Sequence, residues 1–146
     1  MAAFTLYETD WACDASRLSA VRRSVFIEEQ GVPEALEWDE HDAVSLHVLA
    51  TTGDGTPIGC VRLLPDGHMG RMAVLPAWRG YGIGQALLAA ILGAAQTRGL
   101  STLKLSAQTH AAGFYAAAGF TAVGAEYEEA GIPHVAMQKS LAACRA

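Results

Sequence analysis

Gly70-Arg-Met-Ala-Val-Leu-Pro-Ala-Trp-Arg-Gly-Tyr-Gly-Ile-Gly84 is the stretch on which the reading of this chain turns. Arg71 to Leu75 is short, largely apolar and suited to a strand, and Pro76 halts it because proline has no N–H to give a sheet. Gly80, Gly82 and Gly84 follow at alternate positions behind Arg79, and an alanine- and leucine-rich run from Gln85 to Arg98 reads as a helix. A strand, a glycine turn and a helix start together present free backbone N–H groups at the positive end of a helix dipole. That arrangement binds phosphate. A Cβ at those glycines would hold the phosphate off the backbone or forbid the turn.

Spacing separates the anion-binding loops that compete for this stretch. A P-loop needs Gly-x-x-x-x-Gly-Lys-Ser/Thr, and no lysine or hydroxyl residue follows these glycines. A dinucleotide fingerprint needs Gly-x-Gly-x-x-Gly, and neither Gln85 nor Leu87 supplies the last glycine. What remains, Arg-Gly-x-Gly-x-Gly after Val-Leu-Pro, resembles the acyl-CoA pyrophosphate loop of the GNAT superfamily of N-acetyltransferases, Gln/Arg-x-x-Gly-x-Gly/Ala. Arg79, Gly82 and Gly84 fill its fixed positions. The resemblance implies that the loop from Arg79 through Gly80, Tyr81, Gly82 and Ile83 to Gly84 holds acetyl-CoA as co-substrate. The plainer alternative is a structural turn before a helix.

Composition narrows the function further. The 146 residues suit a single domain spanning 1–146, and 51% hydrophobic with 17% charged residues describes a folded chain. A net charge of −5 gives no general electrostatic reason to bind nucleic acid or an anionic membrane. Cys13, Cys60 and Cys144 lack Cys-x-x-Cys spacing, so neither a disulfide framework nor a metal site is expected, and reduced thiols in a cytoplasm are the better reading. The N-terminus lacks the regions of a signal peptide, and the apolar run Ala86 to Ala95 is too short to span a bilayer.

In chain order, Phe4 to Glu8 alternates as a strand, and Asp14 or Ser16 offers an N-cap for a helix through Gln30 that Gly31 and Pro33 end. Glu34, Glu37, Asp39, Glu40 and Asp42 then surround Trp38. Such a run reads as mostly solvated loop, and it is also the region that could draw a cationic substrate. Strands at Ser45–Thr52, Pro57–Leu64 and His68–Leu75 form an antiparallel meander through Gly53-Asp54-Gly55 and Pro65-Asp66-Gly67. The central helix puts Ile83, Leu87, Ile91 and Ala94 on one stripe, widened by Leu88, Leu92 and Ala95. A strand at Thr102–Ser106, parallel to the one before the helix, a helix at His110–Ala118 and strands near Phe120–Tyr127 and Ile132–Gln138 complete the order β-α-βββ-α-β-α-ββ. This is an α/β (α+β) chain with a mixed, mostly antiparallel sheet of about seven strands flanked by helices. It is the GNAT order, in which the resemblance implies a parallel pair splayed around the cofactor.

The same resemblance assigns roles. Pantetheine would lie beside Met72, Ala73 and Val74, with the Val74 N–H polarising the thioester carbonyl. Phe114-Tyr115-Ala-Ala-Ala-Gly-Phe120 resembles the superfamily's Phe-Tyr-x-x-x-Gly-Phe element, which makes Tyr115 the general acid near the CoA sulfur. A core tyrosine with its hydroxyl in solvent is the alternative. Gln108 is a further contact to pantetheine or substrate. For the general base the candidates are Glu28, Glu29, His47, Glu129 and His134, with Glu29 and His134 ranked first and a chain of waters as the alternative. The expected activity is direct acetyl transfer to a primary amine of a small molecule or peptide in a ternary complex. A non-catalytic CoA-binding module with the same fold is the rival. The sequence leaves a homodimer open.

Overall fold

The computed structural model describes residues 3–141. The chain runs β1 (Thr5–Thr9), α1 (Trp11–Arg22) with a π-helical continuation at Arg23–Glu29, α2 (Glu34–Glu37), β2 (Leu46–Thr51), β3 (Pro57–Leu63), β4 (Met69–Val74), α3 (Ile83–Thr97), β5 (Thr102–Gln108), α4 (Ala112–Ala117), β6 (Thr121–Glu129) and β7 (Ile132–Ser140). Among the described residues no helix is long and apolar enough to cross a membrane.

The strands divide into an antiparallel sheet ordered β1-β2-β3-β4 and a second ordered β5-β7-β6. The two meet where β4 and β5 start side by side and parallel, through one isolated bridge between His68 and Lys104. There the Lys104 N–H donates to the Gly67 carbonyl at 3.0 Å. Gly67 has φ +98, and a Cβ on it would stand 2.7 Å from the Thr102 carbonyl oxygen, so only glycine lets the sheets touch at this point. No ladder continues beyond the bridge, and β4 and β5 part.

One helix covers both sheets. The buried stripe Ile83, Leu87, Leu88, Ile91, Ala94 and Ala95 of α3 packs against Val48, Ile58 and Val61 of the first sheet and Leu103 and Leu105 of the second. Its approach is close, since a Cβ at Gly59 of β3 would meet Ile83 Cγ2 at 3.2 Å and Leu87 Cδ1 at 3.3 Å. On the other face, Leu18, Val21 and Val25 cover Leu49, Cys60 and Ala73.

Two expectations need correction. The N-cap of α1 is Asp10, whose carboxylate accepts the Cys13 N–H at 2.8 Å, and not Asp14 or Ser16. Asp14 instead sits at a kink inside the helix (φ −129), its carboxylate taken by Thr9 and Arg17. The acidic segment is not a solvated loop either. It includes the single turn α2, and Glu37 and Asp42 are only 3% and 2% exposed. Arg22 donates to Glu37 Oε2 at 2.9 Å and to Asp42 Oδ1 at 2.7 Å, while its guanidinium lies 5.4 Å from the Trp11 ring centre and 5.1 Å from that of Trp38. Arg62 donates to Asp39 at 2.7 Å and Asp42 at 3.0 Å, and Arg71 reaches Glu37 at 3.1 Å and Asp39 at 3.2 Å. His47, another candidate base, is buried and donates from Nε2 to the Asp42 carbonyl at 2.9 Å. The arginines that neutralise the segment come from far along the chain, which a local count of charge misses. Glu34 and Glu40 do remain exposed.

Burial works to raise the Asp42 carboxyl, but hydrogen bonds and charge from Arg22 and Arg62 outweigh it and hold the group below its ordinary value. A depressed folded pKa gives stability that is fully present above the unfolded value near 3.8 and lost as pH falls through the lower folded one. Asp42→Ala leaves two buried guanidiniums short of a partner and is expected to cost about 3–5 kcal/mol in urea unfolding at neutral pH. The deficit should shrink as wild type is taken below pH 3.8. A loss under about 1 kcal/mol would mean that water replaces the carboxylate.

Candidate active site

Two features of β4 create the site. The first is a bulge, where the β3–β4 register shifts between Cys60 and Arg62 and Arg71 takes φ +48. A non-glycine residue there costs about 1–2 kcal/mol, and the ion pairs of Arg71 to Glu37 and Asp39 hold it in place. The second is register downstream of the bulge. The Leu75 N–H donates to the Ile58 carbonyl at 2.9 Å, which makes Gly59 and Val74 a non-hydrogen-bonded pair. The N–H and C=O of Val74 therefore turn away from β3, toward the gap left by β5. The C=O accepts from Arg79 Nε at 3.0 Å.

After Val74 the chain makes a short turn at Pro76–Trp78, extends at Arg79 and enters α3 through Gly80 (φ +86) and Gly82 (φ +83). A Cβ on either glycine would meet nothing within 4 Å, so the space before the loop is open. The left-handed backbone, and the approach of a ligand to it, are what require glycine. A cavity of about 460 Å³ lies against this loop, bordered by Trp78, Arg79, Gly80 and Gly82. A larger one of about 820 Å³ occupies the cleft between the sheets. Val74, Arg79 and Phe114 border both.

Tyr115 of α4 reaches the larger cavity, where its hydroxyl donates to Met72 Sδ at 3.7 Å. Burial pushes its pKa up to about 12, so the phenol stays protonated at any physiological pH. His134 of β7 lies on the same cavity, 6% exposed, and its Nδ1–H donates to the Ile132 carbonyl at 2.7 Å. That bond leaves the lone pair on Nε2, which stands 3.6 Å from Glu129 Oε2. The Tyr127 ring stacks beside the imidazole with centres 6.1 Å apart, and the Tyr127 hydroxyl is bonded to Ser106.

Glu29 has a different task from the one expected of it. Its carboxylate makes a two-pronged pair with Arg79, at 2.7 and 2.6 Å, and these hydrogen bonds hold it below the usual carboxylate range. A stabilised carboxylate is a poor base. The neighbouring Gln30 exchanges amide hydrogen bonds with Gln108, at 2.7 and 3.3 Å. Glu29 and Gln30, at the end of the π-helical stretch, thus clasp both lips of the cleft, the β4–α3 loop and the end of β5. Gln30 escaped the sequence reading because its partner is 78 residues away.

The structure brings Met72, Val74, Arg79, Gln108, Tyr115 and His134 to one cavity. It does not bring Ala73, buried beneath α1, or Tyr81, whose exposed ring packs on Trp78. Ile83 lies in the core and borders the smaller cavity, and a Cβ on Gly84 would stand 3.6 Å from the Phe114 ring. Among the described residues no three of His, Cys, Asp and Glu gather as metal ligands.

A splayed parallel pair, a glycine loop at a helix N-terminus and a phenol in the cleft define an acyl-CoA-dependent acyltransferase. Residues 13–141 match the family model of the acetyltransferase (GNAT) domain, and the chain belongs to the GNAT superfamily. It is 37% identical over 123 residues to the uncharacterized N-acetyltransferase YjcF of Bacillus subtilis, covering 82% of this chain and 87% of that one. Protein ElaA of Escherichia coli is 30% identical over 132 residues, covering 85% and 86%. An acyl-CoA N-acyltransferase structure from Pseudomonas aeruginosa superposes with a TM-score of 0.85 at 32% identity, over 94% of this chain and 99% of that one. The protein is an enzyme of acyl transfer.

The Glu29–Arg79 pair sets a competition, since a phosphate would seek the same guanidinium. Glu29→Gln is expected to tighten CoA binding by a factor of about 1.5–5 in calorimetry, the worth of an exposed ion pair. Weaker binding would mean instead that Glu29 orients Arg79 for the ligand.

Proposed function

We propose that the protein is an N-acetyltransferase that moves the acetyl group of acetyl-CoA directly to a primary amine in a ternary complex. The observation that carries this reading is the meeting of two cavities at Val74, Arg79 and Phe114. One suits the pyrophosphate end of acetyl-CoA, and the other has room for pantetheine and an amine. The residues at the junction are those direct transfer requires. The glycine loop and Arg79 receive the phosphates, and among the described residues no thiol is available for a covalent intermediate there, since Cys60 is buried with its pKa pushed up to about 12 by that burial.

The Val74 N–H is directed into the gap, where it stabilises negative charge developing on the thioester oxygen. His134 takes the proton of the attacking amine on Nε2, which stands beside the Glu129 carboxylate. Tyr115 already donates to a sulfur, that of Met72, and turns to the departing thiolate. A thiol has a pKa of about 8.5, well below the value of about 12 for Tyr115. The phenol therefore keeps its proton and stabilises the thiolate by a hydrogen bond. The protein acts in a reducing cytoplasm as a monomer or homodimer, with acetyl as the acyl group.

Two variants and a ligand series test this. Acetyl-CoA and CoA are expected to raise the melting temperature of wild type, and NAD is not. Gly82→Val, which forces a β-branched residue into φ +83, is expected to abolish that shift. Tyr115→Phe keeps the ring packing and removes the donor, so kcat should fall by roughly 10²-fold with little change in acetyl-CoA affinity. Stabilisation by NAD and not by acetyl-CoA would show that the loop serves another ligand. A broad amine panel giving no acetylated product would favour a binding module.

A further inference from the structure

The arginines of the buried cluster are not used up by its acids. Arg62 spends Nη1 on Asp39 and Asp42, and Arg71 spends Nε and Nη2 on Glu37, Asp39 and the Leu36 carbonyl. Among the described residues no acceptor meets Arg62 Nη2 or Arg71 Nη1, and Arg62 Nε is buried with no partner at all, on a side chain 7% exposed. Nη2 and Nη1 are not sealed in this way, so they face accessible space. Both arginines border the large cavity. Of the acids that compensate them, only Glu37 borders it, and its Oε2 is already shared between Arg22 and Arg71. Asp39 and Asp42 do not border the cavity. The cavity therefore presents two guanidiniums and one committed carboxylate at this end.

The sealed Arg62 Nε cannot itself reach a ligand, but Arg62 Nη2 and Arg71 Nη1 are charged donors open to accessible space with no acceptor among the described residues, and such donors pair strongly with an oxyanion. Both belong to side chains that border the cleft, so an anion bound there is the acceptor at hand. We infer that Arg62 and Arg71 form a subsite for an oxyanion of the amine substrate, foremost a carboxylate. This rests on the reading of the cleft as the amine site of an N-acetyltransferase, and it names the class of amine. Val74 lies three residues beyond Arg71 on β4, about 10 Å at strand spacing. The anion therefore sits at the far end of the substrate from the reacting nitrogen, as in an ω-amino acid or a short peptide with a free C-terminus. The acidic segment that by sequence would draw a cation thus serves to hold two arginines for an anion.

The test uses wild type with acetyl-CoA and amines matched except in charge: 6-aminohexanoate against 6-aminohexanamide, and glycylglycine against glycylglycinamide. The carboxylate of each pair is expected to have a kcat/KM at least about tenfold higher than its amide. Arg71→Asn, a residue that tolerates the left-handed backbone, should bring the members of each pair within about threefold, with Arg71→Lys between. Higher kcat/KM for 5-aminopentyl phosphate than for either carboxylate would assign the subsite to phosphate. Equal turnover of amide and carboxylate by wild type overturns the inference and leaves acetyl transfer standing. So does an Arg71→Asn that slows both members alike, since that is a general defect in β4. Calorimetry with CoA bound separates the remaining case: preferential binding of the carboxylates without acetylation keeps the subsite and removes the transfer reading, and no preference removes the subsite.

Discussion

The divergence of β4 from β5 is the constraint on which the site depends. Two parallel strands in a helix-covered sheet ordinarily pair along their length, because unpaired backbone groups in a low-dielectric interior are costly. Here the pairing stops after one bridge at His68 and Lys104. The exposed strand edges and the cleft between them are stable only because other contacts hold the sheets together. The helix α3 does so from one side, with one apolar stripe touching both. Residues 29 and 30 do so from the other, through Arg79 and Gln108. The cleft is thus a consequence of incomplete pairing held under fixed geometry.

The buried cluster of Arg22, Arg62 and Arg71 with Glu37, Asp39 and Asp42 acts on that geometry through Arg71. Its left-handed backbone shifts the register of β4 against β3, and Val74 then presents its N–H to the cleft, not to its neighbour strand. Burying so many charges is not an efficient source of stability, since apolar residues of the same volume would often serve as well. What the charges provide is position: they anchor a strained residue three places ahead of Val74, and Arg62, Arg71 and Glu37 line the cavity while doing so.

The chemistry of the cleft follows from desolvation. Tyr115 is kept neutral by burial, which suits a donor of hydrogen bonds and rules out an anionic role. His134 is held by a backbone carbonyl in the tautomer that leaves Nε2 free, whereas Glu29 is committed to Arg79. Of the groups ranked by sequence as bases, packing and pairing therefore separate one that is available from one that is not.

The sequence by itself determined the order of elements, the glycine loop and the stripe of α3, because each is written in local patterns of a few residues: proline and glycine positions, and periods of two or 3.6. It pointed to Tyr115 through the resemblance of Phe114-Tyr115-Ala-Ala-Ala-Gly-Phe120 to the superfamily's element, and the structure places that side chain on the cleft. Only the tertiary structure decided the fate of the charges. Glu37 and Asp42 meet arginines 15 to 34 residues away in the chain, Glu29 meets Arg79 across 50, and Gln30 meets Gln108 across 78. Coulombic and hydrogen-bond partners are chosen by proximity in space and by burial, neither of which has a local signature. The same side chains could form a solvated acidic loop or a neutral buried lattice, and the difference lies in which strands fold beside them.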